Sequence, residues 1–245
     1  ALVSTKEESA LKVRIKFAKQ GAMKFIGHLD IMRYFQKAIK RAHIDAAYSE
    51  GFSPHMIMSF AAPLGVGVTS TGEYFDLEIK TPLSSREAVK RLNQVMVEGM
   101  EILSFRKIPD GKANAAMALV AAADYEVKFR EGMEPAVDWQ EKVTAFLEQP
   151  EIMIVKKTKK NEKEVDLKPF LYDMQVQGNG IFLKLATGSV KNTKPELVME
   201  ALYKFCGKDF DAFSLLIHRL EVYADTGTEG NRKLVSLEDL GEDIE

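Results

Sequence analysis

Residues 11–18, LKVRIKFA, set Leu11, Val13, Ile15 and Phe17 against Lys12, Arg14 and Lys16. A period of two belongs to a strand with one buried face. Within residues 28–42 the period changes, and Ile31, Met32, Phe35, Ala38, Ile39 and Ala42 form one stripe at helical spacing. Asp30, Arg33, Lys37 and Arg41 fall on another side of that helix. This change of period limits the fold more than any other feature, because it then recurs. Residues 56–61 and 73–79 read as strands, residues 85–97 as a helix, and residues 102–108 as a strand. Ser84 or Ser85 supplies the N-cap of the second helix. The order is β-α-β-β-α-β, a split β-α-β unit.

The second half follows the same plan with one hairpin more, β-α-(β)-β-β-α-β. Residues 110–122 read as a linker or short helix. A strand at 125–129, a helix at 138–148 and a strand beginning at 152 follow, the last running into a lysine-rich hairpin tip or loop. Strands at 170–176 and 181–185 join through Gly178-Asn179-Gly180, a strong hairpin signal. Pro195 opens a helix that Gly207 ends, and residues 213–223 make the closing strand. The expected class is α+β, a tandem duplication of ferredoxin-like (βαββαβ) domains with antiparallel sheets. The expected divisions are residues 11–110, residues 123–224 and an acidic tail at 225–245. That tail carries seven acids against Arg232 and Lys233, and is expected to be loose or to dock weakly on the basic half.

Charge is divided unevenly. Residues 1–112 hold 17 bases against 12 acids, and residues 113–245 hold 17 against 24. Between Lys12 and His43 nine bases face one acid, Asp30. Such a segment attracts polyanions or forms a solvated face. The longest apolar run, 113–123, is interrupted by Asn114 and is too short to span a bilayer, so no membrane partner is expected. No secretory signal is visible. A single cysteine, Cys206, excludes an internal disulfide framework and fits a reducing, cytoplasmic setting.

Chemistry concentrates around residues 47–76, where Gly, Ser, Pro and His lie between two strands. The candidate binding residues are His28, Asp30, Arg33, Lys37, Ser53, His55 and Glu73. Imidazole beside carboxylate suits proton exchange, so His28, Asp30, His55 and Glu73 form an alternative acid–base or metal-assisted site. No spacing places two imidazoles on one helix face, and no metal or other cofactor is expected. Arg33, Lys37, Lys40 and Arg41, with Lys156, Lys157, Lys159 and Lys160, are candidate phosphate contacts. Tyr48 and Phe52 are candidates for stacking on bases. Gly65-Val66-Gly67 lacks the lysine and helix of a nucleotide loop.

Several stretches carry a family resemblance. They are Gly27-His28-Leu29-Asp30-Ile31-Met32-Arg33, the run Ala47-Tyr48-Ser49-Glu50-Gly51-Phe52-Ser53-Pro54-His55, and Pro63-Leu64-Gly65-Val66-Gly67-Val68. Gly72-Glu73-Tyr74-Phe75-Asp76 follows them, and weaker matches stand at Val165-Asp166-Leu167-Lys168-Pro169, Lys194-Pro195-Glu196 and Ile217-His218-Arg219. Together they resemble the radical SAM-linked protein family, a bacterial domain of unknown function fused to or encoded beside radical SAM proteins with a cobalamin-binding domain. Met56-Ile57 departs from that family's usual proline and basic residue. The resemblance implies a radical SAM protein as partner and a role beside RNA-modifying or other radical chemistry. The chain lacks the closely spaced cysteine thiolates that an iron–sulfur cluster of that kind needs. The expected function is therefore an RNA-recognition or accessory module working with a radical SAM enzyme. The alternatives are the acid–base or metal-assisted enzyme above, and a protein-interaction adaptor acting through the C-terminal half.

Overall fold

A computed structural model describes residues 10–157, 161–189 and 191–245. Lys159 and Lys160, candidate phosphate contacts, lie outside the described residues. The chain divides into two compact units, Ala1–Val120 with Ala224–Glu245, and Ala121–Tyr223. Each is α+β.

The first unit contains β1 (Leu11–Lys19), α1 (His28–Arg41), β2 (Met58–Phe60), β3 (Thr69–Ile79), α2 (Ser85–Gln94), β4 (Met100–Lys107) and the short α3 (Ala116–Leu119). Its strands run β4-β1-β3-β2, each antiparallel to its neighbour. The alternation read in β1 sets the two faces of this sheet. Val13, Ile15 and Phe17 pack with Phe75, Leu77, Ile79 and Phe105 beneath the stripe Ile31, Phe35 and Ile39 of α1. Ser84 caps α2, its hydroxyl accepting the Glu87 N–H at 3.2 Å. Strand β3 begins four residues earlier than the expected start at Glu73. A bulge between Phe17 and Lys19 shifts the register by one residue and pairs Lys19 with Ser70, so the polar Thr-Ser-Thr run belongs to the sheet.

On the helix-free face, β1 presents Lys12, Arg14 and Lys16. The Arg14 side chain is 1% exposed and grips Asp76 through both fork nitrogens, at 2.8 and 3.1 Å. Its remaining donors reach the Asn114 carbonyl at 2.8 Å and the Leu237 carbonyl at 3.1 Å. Asp76 also accepts the Ala116 N–H at 2.7 Å. Thus one ion pair joins two strands, the linker and the C-terminal segment.

Of the two expectations for that segment, the loose tail gives way to docking on the basic half, because residues 225–245 belong to the first unit. Their elements complete the chain order as follows. After α3 come β5 (Val120–Phe129), α4 (Trp139–Glu148), β6 (Met153–Lys157), β7 (Glu162–Asp166), β8 (Leu171–Gln177), β9 (Gly180–Ala186), α5 (Pro195–Phe205) and β10 (Leu215–Asp225). Last are β11 (Leu234–Ser236) and β12 (Glu242–Asp243). Strand β12 pairs antiparallel with β4, setting Asp243 opposite Arg106. Glu238 meets Lys16 at 3.1 Å, while Arg106 reaches Asp239 and Asp243 at 3.3 Å each. Leu237 is fully buried, and Ile244 exchanges backbone and side-chain hydrogen bonds with Ser85. Acidic composition allowed a loose tail or weak docking; opposite charge together with apolar burial fastens the segment.

Asp225 closes the turn that opens this segment. Its carboxylate accepts the N–H groups of Lys233 and Gly227, both at 2.9 Å, and they hold it below the ordinary value of 3.8. Hydrogen bonding to the ionised form makes its contribution complete above 3.8 and lost as pH falls through the lowered folded value. Amide protection at Gly227 and Lys233 is expected to fall on acidification, and Asp225→Asn should abolish that dependence. Protection unchanged between about pH 5 and pH 2 contradicts this account.

In the second unit β5, β9 and β8 pair antiparallel, and β10 flanks β5. Strands β6 and β7 form a separate two-stranded ribbon. Lys156 and Lys157 of the lysine-rich stretch read from sequence end β6, opposite Lys163 and Glu162 of β7. Strand β7 is the return strand of the hairpin, one of the two expectations there, although Glu162, Lys163 and Glu164 give it almost no apolar pattern. Trp139, Val143 and Phe146 of α4 and Val198, Met199 and Leu202 of α5 supply the buried helix faces. Cys206 caps α5 half-buried, and burial pushes its thiol up. Among the described residues no helix is long and apolar enough to cross a membrane.

Candidate functional site

Gly27, in an extended conformation, starts α1, and His28 is the first helical residue. At the other end Ala42 is the C-cap and His43 takes a φ of +54°, in the left-handed region. The His43 N–H donates to the Lys40 carbonyl and the Ile44 N–H to the Ile39 carbonyl, a Schellman closure. His43 is thereby a terminator of the helix. The buried stripe of α1 rests on an aromatic cluster of Phe17, Phe35, Phe60 and Phe75, with ring centres 4.7–6.2 Å apart.

His28 is half-buried and sets its ring edge against Phe60 at 5.4 Å. It lines a small pocket with Lys19, Phe60, Leu64 and Glu73. The pocket, about 20 Å³, has room for about one water. Glu73 is buried, and Ser70 donates its hydroxyl proton to the carboxylate at 2.8 Å. Lys19, also buried, donates to the Ile26 carbonyl at 2.7 Å. Of the four expected acid–base residues, the structure thus brings His28 and Glu73 into one pocket. Lys19 was missed, although a signal was available. It stands at the next odd position after Phe17 in the inward series, where a lysine requires a partner.

Asp30 points elsewhere. It is exposed and pairs with Arg33 at 3.3 Å along the solvent face of α1. Arg33, Lys37, Lys40 and Arg41 all lie on that face, exposed, at spacings of four, three and one residues. The strand bases of the same basic segment are engaged within the chain. Lys12 meets Glu78 at 3.7 Å, Arg14 holds Asp76, and Lys16 holds Glu238. Sequence charge therefore overstated the solvent-facing cation surface, because a strand alternates its faces and one of them is covered.

His55 and Ser53 lie on a loop beside α1. The His55 N–H donates to the Ser49 hydroxyl at 3.1 Å, and His55 Nδ1 is 2.8 Å from the same oxygen. The Ser49 N–H in turn donates to the His55 carbonyl at 2.9 Å. This closes residues 49–55 into a loop that leaves Phe52 and Ser53 at its exposed tip. His55 does not line the pocket that holds His28 and Glu73. The Lys40 ammonium lies 5.8 Å from the centre of the Tyr48 ring, which joins the loop to the end of α1.

A larger, mainly apolar pocket of about 150 Å³ opens between Met58, Ser59, Leu77, Glu78 and Ile108, and none of the expected site residues lines it. Among the described residues no group of three or more His, Cys, Asp or Glu side chains is gathered to hold a metal ion.

No curated protein matches the chain. A solved structure described as a Cbf5-Nop10-Gar1 complex is similar over 86% of this chain and 48% of its own, at 9% identity and a TM-score of 0.42. The chain thus spans about half the length of that structure's chain. Residues 12–195 match the family described as "uncharacterized protein conserved in bacteria" (DUF2344), which is three quarters of the sequence. The chain belongs to that bacterial family.

Proposed function

We propose that the chain is an RNA-recognition module acting beside a radical SAM enzyme. The observation that carries the RNA reading is the row Arg33, Lys37, Lys40 and Arg41 on the solvent face of α1, adjoining the exposed loop of residues 48–55. Four cations along one helix face match the charge of a polynucleotide backbone. Ser53 and His55 on the loop and His28 at the helix start are available as polar contacts to bases. The radical SAM partner is supported by the motif resemblance. We read both units as ferredoxin-like, a tandem of βαββαβ folds. The support is the strand order β4-β1-β3-β2 of the first unit, repeated as β10-β5-β9-β8 in the second.

The test is binding of purified protein to total cellular RNA across a salt series, beside the Arg33→Ala/Lys37→Ala/Lys40→Ala variant. The wild type is expected to bind in a salt-sensitive way, and the variant to lose affinity with a slope shallower by about 2, from roughly 0.7 per phosphate contact. Equal affinity and slope for both proteins would overturn the reading.

A second reading rests on the pocket holding His28, Glu73 and Lys19. An imidazole and a buried carboxylate together can move a proton near neutral pH. At about 20 Å³ the pocket admits a water and the proton it carries. Turnover that His28→Ala abolishes while the RNA salt slope stays unchanged would favour this reading.

A further inference from the structure

The solvent face of α1 carries more than cations. Leu29 continues the row of Arg33, Lys37 and Lys40 toward the helix start and is 67% exposed. Just ahead of it, Phe25 ends a short 3₁₀ turn (Gly21–Phe25) and is 65% exposed. The Lys24 ammonium sits 5.1 Å from the centre of the Phe25 ring. This turn is held in place, since the Gly67 N–H donates to the Lys24 carbonyl at 2.7 Å. Gly67 makes that approach with a φ of +89°, which only glycine adopts without strain.

The far end of the helix repeats the arrangement. Lys40 lies beside the Tyr48 ring, and Phe52 stands fully exposed on the closed loop next to it. The row of cations between these two aromatic positions spans a helix of 14 residues, about 21 Å long. A protein-docking face would gather its apolar side chains into one patch. Here they are split to the two ends, and each aromatic position has a lysine beside it.

Aromatic faces next to cations, separated by a further row of cations, fit unpaired bases flanking a stretch of backbone. We propose that α1 is a track for single-stranded RNA. Arg33, Lys37 and Lys40 follow the phosphates, one base stacks on Phe25, and another stacks on Phe52 with Tyr48. A paired duplex keeps its bases stacked on one another and offers neither ring a face. The inference rests on the RNA reading above and adds the form of RNA and the residues that select it.

The experiment measures binding of a labelled unpaired RNA of about 12 nucleotides and of the same strand in a blunt duplex. The proteins are the wild type, Phe25→Ala, Phe52→Ala and the Arg33/Lys37/Lys40 alanine variant. Both phenylalanines are exposed, and circular dichroism checks that each variant is folded. The expected result is single-strand binding at least about tenfold tighter than duplex binding, with each phenylalanine variant weakened about 5- to 150-fold at an unchanged salt slope. The charge variant should instead flatten the slope. Should duplex bind as well as single strand, or should both phenylalanine variants bind like the wild type, the track is refuted while RNA recognition stands. If the wild type binds neither RNA at low salt, both readings fall.

Discussion

Arg14→Ala is expected to destabilise the first unit by about 3–5 kcal/mol, the usual cost of stripping one partner from a buried ion pair. The loss exceeds that of an ordinary salt bridge because nothing replaces the guanidinium. Asp76 would remain buried with the Ala116 N–H but without its counter-charge, and the Asn114 and Leu237 carbonyls would lose their donor. Arg14→Lys keeps the charge but not the planar fork, so it should recover only part of the difference. Asp76→Asn should also destabilise, since it turns a bidentate acceptor into a half-matched amide. The check is urea unfolding followed by circular dichroism, with hydrogen exchange of the β1 and β3 amides. A change below about 1 kcal/mol for Arg14→Ala would mean that water reaches the pair and the burial argument is wrong.

Removing residues 236–245 is expected to have the next largest effect, a loss of at least the 2–5 kcal/mol or so of a buried leucine truncation. The deletion removes the fully buried Leu237, an acceptor of Arg14, and the partners of Lys16 and Arg106. Two point variants separate the contributions. Leu237→Ala should carry most of the loss. Neutralising Asp239 and Asp243 together should cost no more than about 1–2 kcal/mol and should matter less at high salt, because those carboxylates are largely exposed. If the charge variant proved more damaging than Leu237→Ala, the segment would be held by electrostatics and not by its apolar anchor. Deletion that left stability unchanged would show that the segment contributes nothing to the first unit.

These two expectations concern the part of the molecule least visible beforehand. Arg14 alternates with Val13 and Ile15 like any solvent-facing strand residue, and Asp76 sits among Phe75 and Leu77 in the same way. Neither has a local pattern that announces a partner 62 residues away. The acidic composition of residues 225–245 left both a loose tail and weak docking on the basic half open, since composition cannot register that Lys16 of β1 and Arg106 of β4 stand ready to pair with it. The same limit separated the proposed site. His28 and Glu73 do share a pocket, but His55 is bound to Ser49 and Asp30 to Arg33.

What the sequence determined by itself is the set of local periods. Strand β1, the two faces of α1, the Ser84 cap, the turn at Gly178-Asn179-Gly180 and the α+β order all follow from residues within one or two turns of each other. Such features depend on side-chain direction and backbone preference, which neighbours along the chain fix. Tertiary structure alone decided which cations stay in water. A period shows which side of a strand or helix a residue occupies, but not what comes to lie against that side. Burial and pairing are settled by contacts across the fold, so Arg14 became a buried clasp while Arg33, paired only along its own helix with Asp30, stayed 71% exposed.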